Sequence, residues 1–187
     1  GLRPLFTRWP ERSLWINAVH LERGRRVTFG HHSTASGTDV ATAVAASCAI
    51  PAFFAPVTIH GDRYVDGGVH SPTNADLVAG LGFDLVVISS PMSVARPNLR
   101  FAADQPTRRL ARFRLAREVA RVRRAGTPVI TFQPTDRDLA AMGQNPMDPS
   151  RAAEVTRQAY ESTLRRLERP GARERVALLG SSSSRRV

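Results

Sequence analysis

Residues 43–91 read AVAASCAIPAFFAPVTIHGDRYVDGGVHSPTNADLVAGLGFDLVVISSP. The stretch closes a helix of small side chains that starts upstream, DVATAVAA over 39–46, whose alanines suit close packing against a sheet. Ile50-Pro51 stops it, because proline disfavours helical backbone in the residue before it. Val57-Thr58-Ile59 and Tyr64-Val65 then flank His60-Gly61-Asp62-Arg63, which predicts a hairpin. Asn74 to Leu81 reads as a short helix closed by Gly82. Asp84 through Ser90 is a β-branched apolar run without alternation, the pattern of a strand covered on both faces.

Working outward, SLWINAV over 13–19 and RVTF over 26–29 predict a hairpin around Glu22-Arg23-Gly24-Arg25. The polar stretch Gly30 to Thr38 reads as a loop. Residues 107–125 predict a long helix, with Leu110, Phe113, Ala116 and Ala120 on the docking stripe and Arg114, Arg117, Arg121 and Arg124 on another face. Pro128 to Phe132 is a further buried strand. Asp148-Pro149 is an N-cap with proline in the first turn, opening a helix that carries Tyr160, Leu164 and Leu167. Helix, strand, helix, strand, helix after residue 66 is α/β. One domain over residues 1–179 and a disordered polar tail over 180–187 complete the expected organisation.

Composition narrows the function classes. The 187 residues, 42% hydrophobic and 23% charged, are enough to bury a core without disulfides. The single cysteine, Cys48, rules out an intramolecular disulfide framework and a Cys-rich zinc site. No apolar run approaches the roughly 20 residues of a helical membrane span. The net charge of +11 is carried by 27 arginines and no lysine. Residues 96–125 hold ten Arg against Asp104 and Glu118. Such charge attracts anionic surfaces. Aromatics are only 6% of the chain and barely interleave with the arginines, so specific nucleic-acid binding is not expected.

The block from Ala43 to Pro91 resembles the central-to-late part of patatin-like phospholipases. The matching positions are Ala46, Ser47, Ala49 and Pro51, then Phe53, Phe54 and Pro56, then Asp66, Gly67 and Gly68, and on to Asn74-Ala75 and the following strand. The resemblance implies a three-layer α/β sandwich with a mostly parallel central sheet, of which this chain is the C-terminal part. It implies a lipid acyl-ester hydrolase using a Ser–Asp dyad, with Asp66 as the catalytic carboxylate and Gly67 and Gly68 supporting its turn. A carboxylate in reach of a hydroxyl orients it and takes its proton during acyl transfer. Gly67 or Gly68 is expected at positive φ.

Two family features are missing from these residues: the Gly-rich oxyanion loop and the G-x-S-x-G nucleophile elbow. The nearest imitation, Gly180-Ser181-Ser182-Ser183-Ser184, lacks the final glycine. The expectation is therefore a catalytically incomplete piece of a longer chain, inactive alone. No cofactor and no metal are expected; His20, His60 and His70 lack ligand spacing. His31-His32-Ser33 sets base and nucleophile side by side in sequence, which seldom yields triad geometry. Ser47 and Cys48 read as packing residues, and Asp136, Asp138 and Asp148 as caps. Phe53-Phe54 reads as core or as acyl-pocket lining. The expected partners are a lipid acyl ester and, peripherally, an anionic membrane, with a cytoplasmic location. The alternative is a non-catalytic basic α/β module on an anionic membrane or nucleic acid.

Overall fold

The computed structural model describes residues 8–30, 37–95, 105–145 and 148–182. His31-His32-Ser33 and residues 183–187 lie outside the described residues. The chain gathers into two compact units, Gly1–Asn74 and Ala75–Val187, where the sequence predicts one domain over 1–179.

The first unit is built on a four-stranded sheet of order β2-β1-β4-β3, with β1 Ile16–His20, β2 Arg25–Phe29, β3 Val57–Ile59 and β4 Asp62–Asp66. Every pairing in it is antiparallel. This corrects the mostly parallel sheet that the family resemblance implies. The physical reason is loop length: β1–β2 and β3–β4 are joined by connections too short for any crossover, so each pair must run antiparallel. His60 at φ 52° and Gly61 at φ 89° form the two-residue loop between Ile59 and Asp62, a turn whose twist matches the strands.

Helix α1, Val40–Ser47, begins where Asp39 accepts a hydrogen bond from the Thr42 backbone N–H at 2.7 Å. It buries Val40, Ala43 and Ala46 with Ile16, Ala18, Phe29, Ile59 and Tyr64 of the sheet. The absence of larger side chains on that helical face lets the backbone approach closely. Tyr64 meets Phe29 edge-on at 5.4 Å between ring centres, a favoured aromatic geometry.

The second unit holds the only parallel pairing among the described residues. Strands β5, Val86–Ser89, and β6, Val129–Phe132, align Ser89 with Phe132. The long helix α2, Gln105–Arg124, lies in the connection between them. Three helices follow: α3 Asp136–Met142, α4 Ala152–Leu167 and α5 Pro170–Ser182. Asp138 and Asp148 serve as caps as expected, Asp138 reciprocally with Thr135 at the start of α3 and Asp148 by accepting from the Ser150 N–H, while Asp136 is the first residue inside α3. Helix α5 carries helical backbone to Ser182, three residues into the stretch expected to be disordered. Strand β5 is covered on one face only, since Val87 is exposed while Ile88 is buried.

The docking stripe of α2 also differs from expectation. Arg108, Ala111, Leu115, Val119 and Val122 are buried, with Leu115 3% and Val122 0% accessible. Leu110 at 50% and Phe113 at 59% face outward. The expected row, with Ala116 and Ala120 also exposed, and the buried one have the same helical period, so spacing alone does not choose between them. Arg108 is buried because its guanidinium donates to the Pro91 and Ser93 carbonyls, and Arg112 donates to the Ala95 carbonyl. Part of the arginine run is therefore structural. Leu115→Ala should cost about 2–5 kcal/mol and Leu110→Ala less than about 0.5 kcal/mol in urea unfolding. The reverse order would mean that the other face packs.

Candidate active site

Asp66 is the last residue of β4, opposite Ala18 of β1. Its backbone N–H donates to the Ala49 carbonyl at 3.0 Å. The segment Ala46-Ser47-Cys48-Ala49 leaving α1 is thereby tied to the strand end that presents Asp66. Two separate blocks of sequence converge at this one point.

After Asp66 the chain enters a short 3-10 turn, Gly67–Val69. The Asp66 carboxylate caps that turn by accepting the Gly68 N–H at 2.6 Å. No hydroxyl among the described residues donates to it. Neither Gly67 nor Gly68 has positive φ, which corrects that expectation. Glycine is required here for space. A Cβ on Gly67 would lie 2.3 Å from the Asn17 carbonyl oxygen of β1, and one on Gly68 would lie 2.9 Å from the Asp66 Oδ1. The first demand fixes the turn against the sheet. The second keeps room for the carboxylate.

Cys48 stands close enough to Asp66 for their charges to interact. Burial pushes the Cys48 thiol above the ordinary cysteine range, and the Asp66 carboxylate pushes it further. The thiolate is thus disfavoured, which argues against a nucleophile, but Cys48 is exposed, which corrects its reading as a packing residue. Alkylation of this sole cysteine by iodoacetamide should show a pH midpoint above that of a free thiol. Asp66→Asn should move the midpoint part of the way back, since only the smaller cause is removed. An unmoved midpoint would separate the two side chains.

The apolar residues around this point are open. Phe53 is 81% and Phe54 62% accessible, and Ile50 and Val69 are also exposed. Sequence reasoning allowed the phenylalanines as core; they are not. Of the histidines, His20 is buried edge-on against Tyr64, with Asp62 at 3.3 Å and Glu22 at 3.4 Å from its ring nitrogens. Among the described residues no group of His, Cys, Asp and Glu could hold a metal ion. None of the described helices is long and apolar enough to cross a membrane.

Residues 12–79 match the family model of patatin-like phospholipases. The match covers just over a third of the chain and takes in every strand of the first unit and Asp66. It begins earlier than the resemblance read from the sequence and ends before β5. No curated protein matches the chain. The likeness is thus to a lipid hydrolase family, and the molecule is a mixed α/β protein.

Proposed function

We propose that this chain carries the carboxylate half of a patatin-like Ser–Asp acyl-hydrolase site, with Asp66 as the proton acceptor. The observation that carries the reading is the convergence at Asp66. The strand end, the Ala46–Ala49 segment and the glycines meet there inside the region that matches the family. In this reading Asp66 accepts the proton of a serine hydroxyl as its oxygen attacks the acyl carbonyl carbon. The tetrahedral intermediate collapses to an acyl-serine and expels the alcohol, which takes the proton back from Asp66. Asp66 then accepts a proton from the water that attacks the acyl-serine, and returns it to the serine oxygen as the acid leaves. The serine and the oxyanion donors come from residues outside this sequence, as part of a three-layer sandwich. Phe53 and Phe54 offer apolar surface for the acyl chain. The test is hydrolysis of a short-chain ester by the chain expressed with its upstream coding sequence, compared with Asp66→Asn. Activity in the 187 residues alone that depends on Asp66 would place a nucleophile within them.

The outward face of α2 supports a second property, peripheral contact with an anionic membrane. Leu110 and Phe113 are exposed beside Arg109 and Arg117, and the Arg117 guanidinium lies 5.8 Å from the centre of the Phe113 ring. A face that is both cationic and apolar suits the headgroup boundary. Co-sedimentation with vesicles containing phosphatidylglycerol should exceed that with neutral vesicles and fall as salt rises, since screening acts over about 8 Å at physiological salt. Arg117→Gln with Phe113→Ala should reduce it. Equal partitioning to both vesicles, or tight binding to one duplex sequence, would end this reading.

A further inference from the structure

We infer that a cleft in the second unit, at the carboxyl ends of β5 and β6, binds the phosphate group of a phosphorylated ligand through Arg166 and Arg169. The inference stands apart from the acyl-hydrolase reading and uses none of its residues.

The cleft holds about 730 Å³, within the range of pockets for organic ligands and far larger than one bare ion needs. Ser89 and Phe132, which end the two parallel strands, both line it. Ligands in open α/β sheets commonly sit outside the carboxyl ends of parallel strands, where the connections diverge and leave a crevice. The opposite wall comes from the end of α4 and the break before α5, which bring Arg165, Arg166 and Arg169 to the same space.

The charges there do not balance. Arg165 is paired with Glu161 at 3.4 Å. Arg166 and Arg169 have no acidic partner among the described residues. Two aspartates line the same cleft, and one is already used: the Asp138 carboxylate accepts from the Thr135 N–H, the Thr135 hydroxyl and the Gln158 amide. Asp136 is exposed. Burial, then the charges of Arg169, Arg175 and Arg123, lower the pKa of the Arg166 guanidinium, so its charged form is under strain. One cation in a last helical turn is sufficiently explained by the helix dipole. Arginines gathered on one cleft, Arg137, Arg165, Arg166 and Arg169, are not, and Arg169 is the largest source of charge repulsion on Arg166.

An anion relieves that repulsion, and guanidinium forks match the oxygens of phosphate. A phosphate dianion answers several positive charges where a carboxylate answers one. The Thr131, Ser162 and Thr163 side chains and the apolar Phe132 and Met142 beside them leave room for an organic remainder. The phosphate can belong to a small soluble ester or to a lipid headgroup.

The test titrates inorganic phosphate into the full 187-residue chain by calorimetry at low ionic strength, followed by Arg166→Gln, Arg169→Gln and Arg12→Gln. Saturable binding is expected, weakened about 10–100-fold by each cleft variant and unchanged by the Arg12 variant, whose arginine does not line the cleft. Removing a repelled charge should also leave the melting temperature equal or higher without phosphate. Should a Gln variant fold poorly, Arg166→Lys keeps the charge but loses the fork, and several-fold weaker binding is expected. A second arm compares inorganic phosphate with dihexanoyl phosphatidic acid below its micellar concentration. A tenfold preference for the lipid identifies a headgroup site, and equal affinity identifies a soluble phosphate site. Absence of saturable binding to both probes, equal loss in the Arg12 variant, or full binding by the Gln or Lys variants would overturn the inference.

Discussion

Asp66→Asn is expected to lower ester turnover by about 10²–10⁴-fold in the chain expressed with its upstream coding sequence, and to leave its melting temperature nearly unchanged. The asparagine side-chain oxygen can still accept the Gly68 N–H that the carboxylate holds at 2.6 Å, so the 3-10 turn keeps its cap. What the amide loses is the capacity to take a proton, and general-base contributions are of that size. The separation of activity from stability is what distinguishes a catalytic carboxylate from a capping one. Gly68→Ala supplies an intermediate case. Its methyl group would crowd the Asp66 Oδ1 and shift the carboxylate without removing it, so turnover should fall while folding persists. Undiminished hydrolysis by Asp66→Asn would leave Asp66 as a cap and nothing more.

Gly67→Ala should destabilise the first unit by about 2–4 kcal/mol, a large fraction of the stability of a typical domain. The clash is with backbone: the Asn17 carbonyl at 2.3 Å and its carbon at 2.8 Å belong to β1, which is held on both sides by ladder hydrogen bonds. No flexible side chain is available to move aside. Gly61→Ala is the control, because a Cβ there meets nothing within 4 Å and the cost of about 1 kcal/mol is that of the left-handed backbone alone. Thermal melting of both variants decides the matter. A Gly67→Ala melting point close to the parent's would show that the turn can leave the sheet at little cost.

Local signals in this sequence carried local structure. Both hairpins, α1, the long helix and the two parallel strands stand close to where periodicity and turn residues predict them. The sheet's direction was misread because the family's overall architecture was given precedence over the hairpins that the same residues predict. The α2 face differs because Leu110, Phe113, Ala116 and Ala120 and the buried Ala111, Leu115, Val119 and Val122 are two apolar rows of the same helical period, and only packing decides between them. Helix α3 escaped notice because seven residues between turn signals give little periodicity, although Thr135 and Asp138 have capping-box spacing.

At the site, the Asp-Gly-Gly order pointed to a tight strand-end turn, and the structure has one. The reason for its glycines was not legible, since contact with Asn17 is long-range and leaves no trace in local pattern. The bond between Asp66 and Ala49 is equally non-local. The cleft arginines were invisible for a related reason: in a chain with so many arginines, only packing distinguishes those that share a space.

The antiparallel sheet has one further consequence, for the order in which the molecule can assemble. Strand β1 meets β2 through a short loop, and β3 meets β4 through a two-residue one, so each hairpin can close early at small entropic cost. The β1–β4 ladder joins Ala18 to Asp66 across the intervening helix and both turns, and such distant closures are slow to form. Until that ladder closes, Gly67 has no Asn17 carbonyl to rest against. The position of Asp66 therefore depends on one of the most distant closures in its unit.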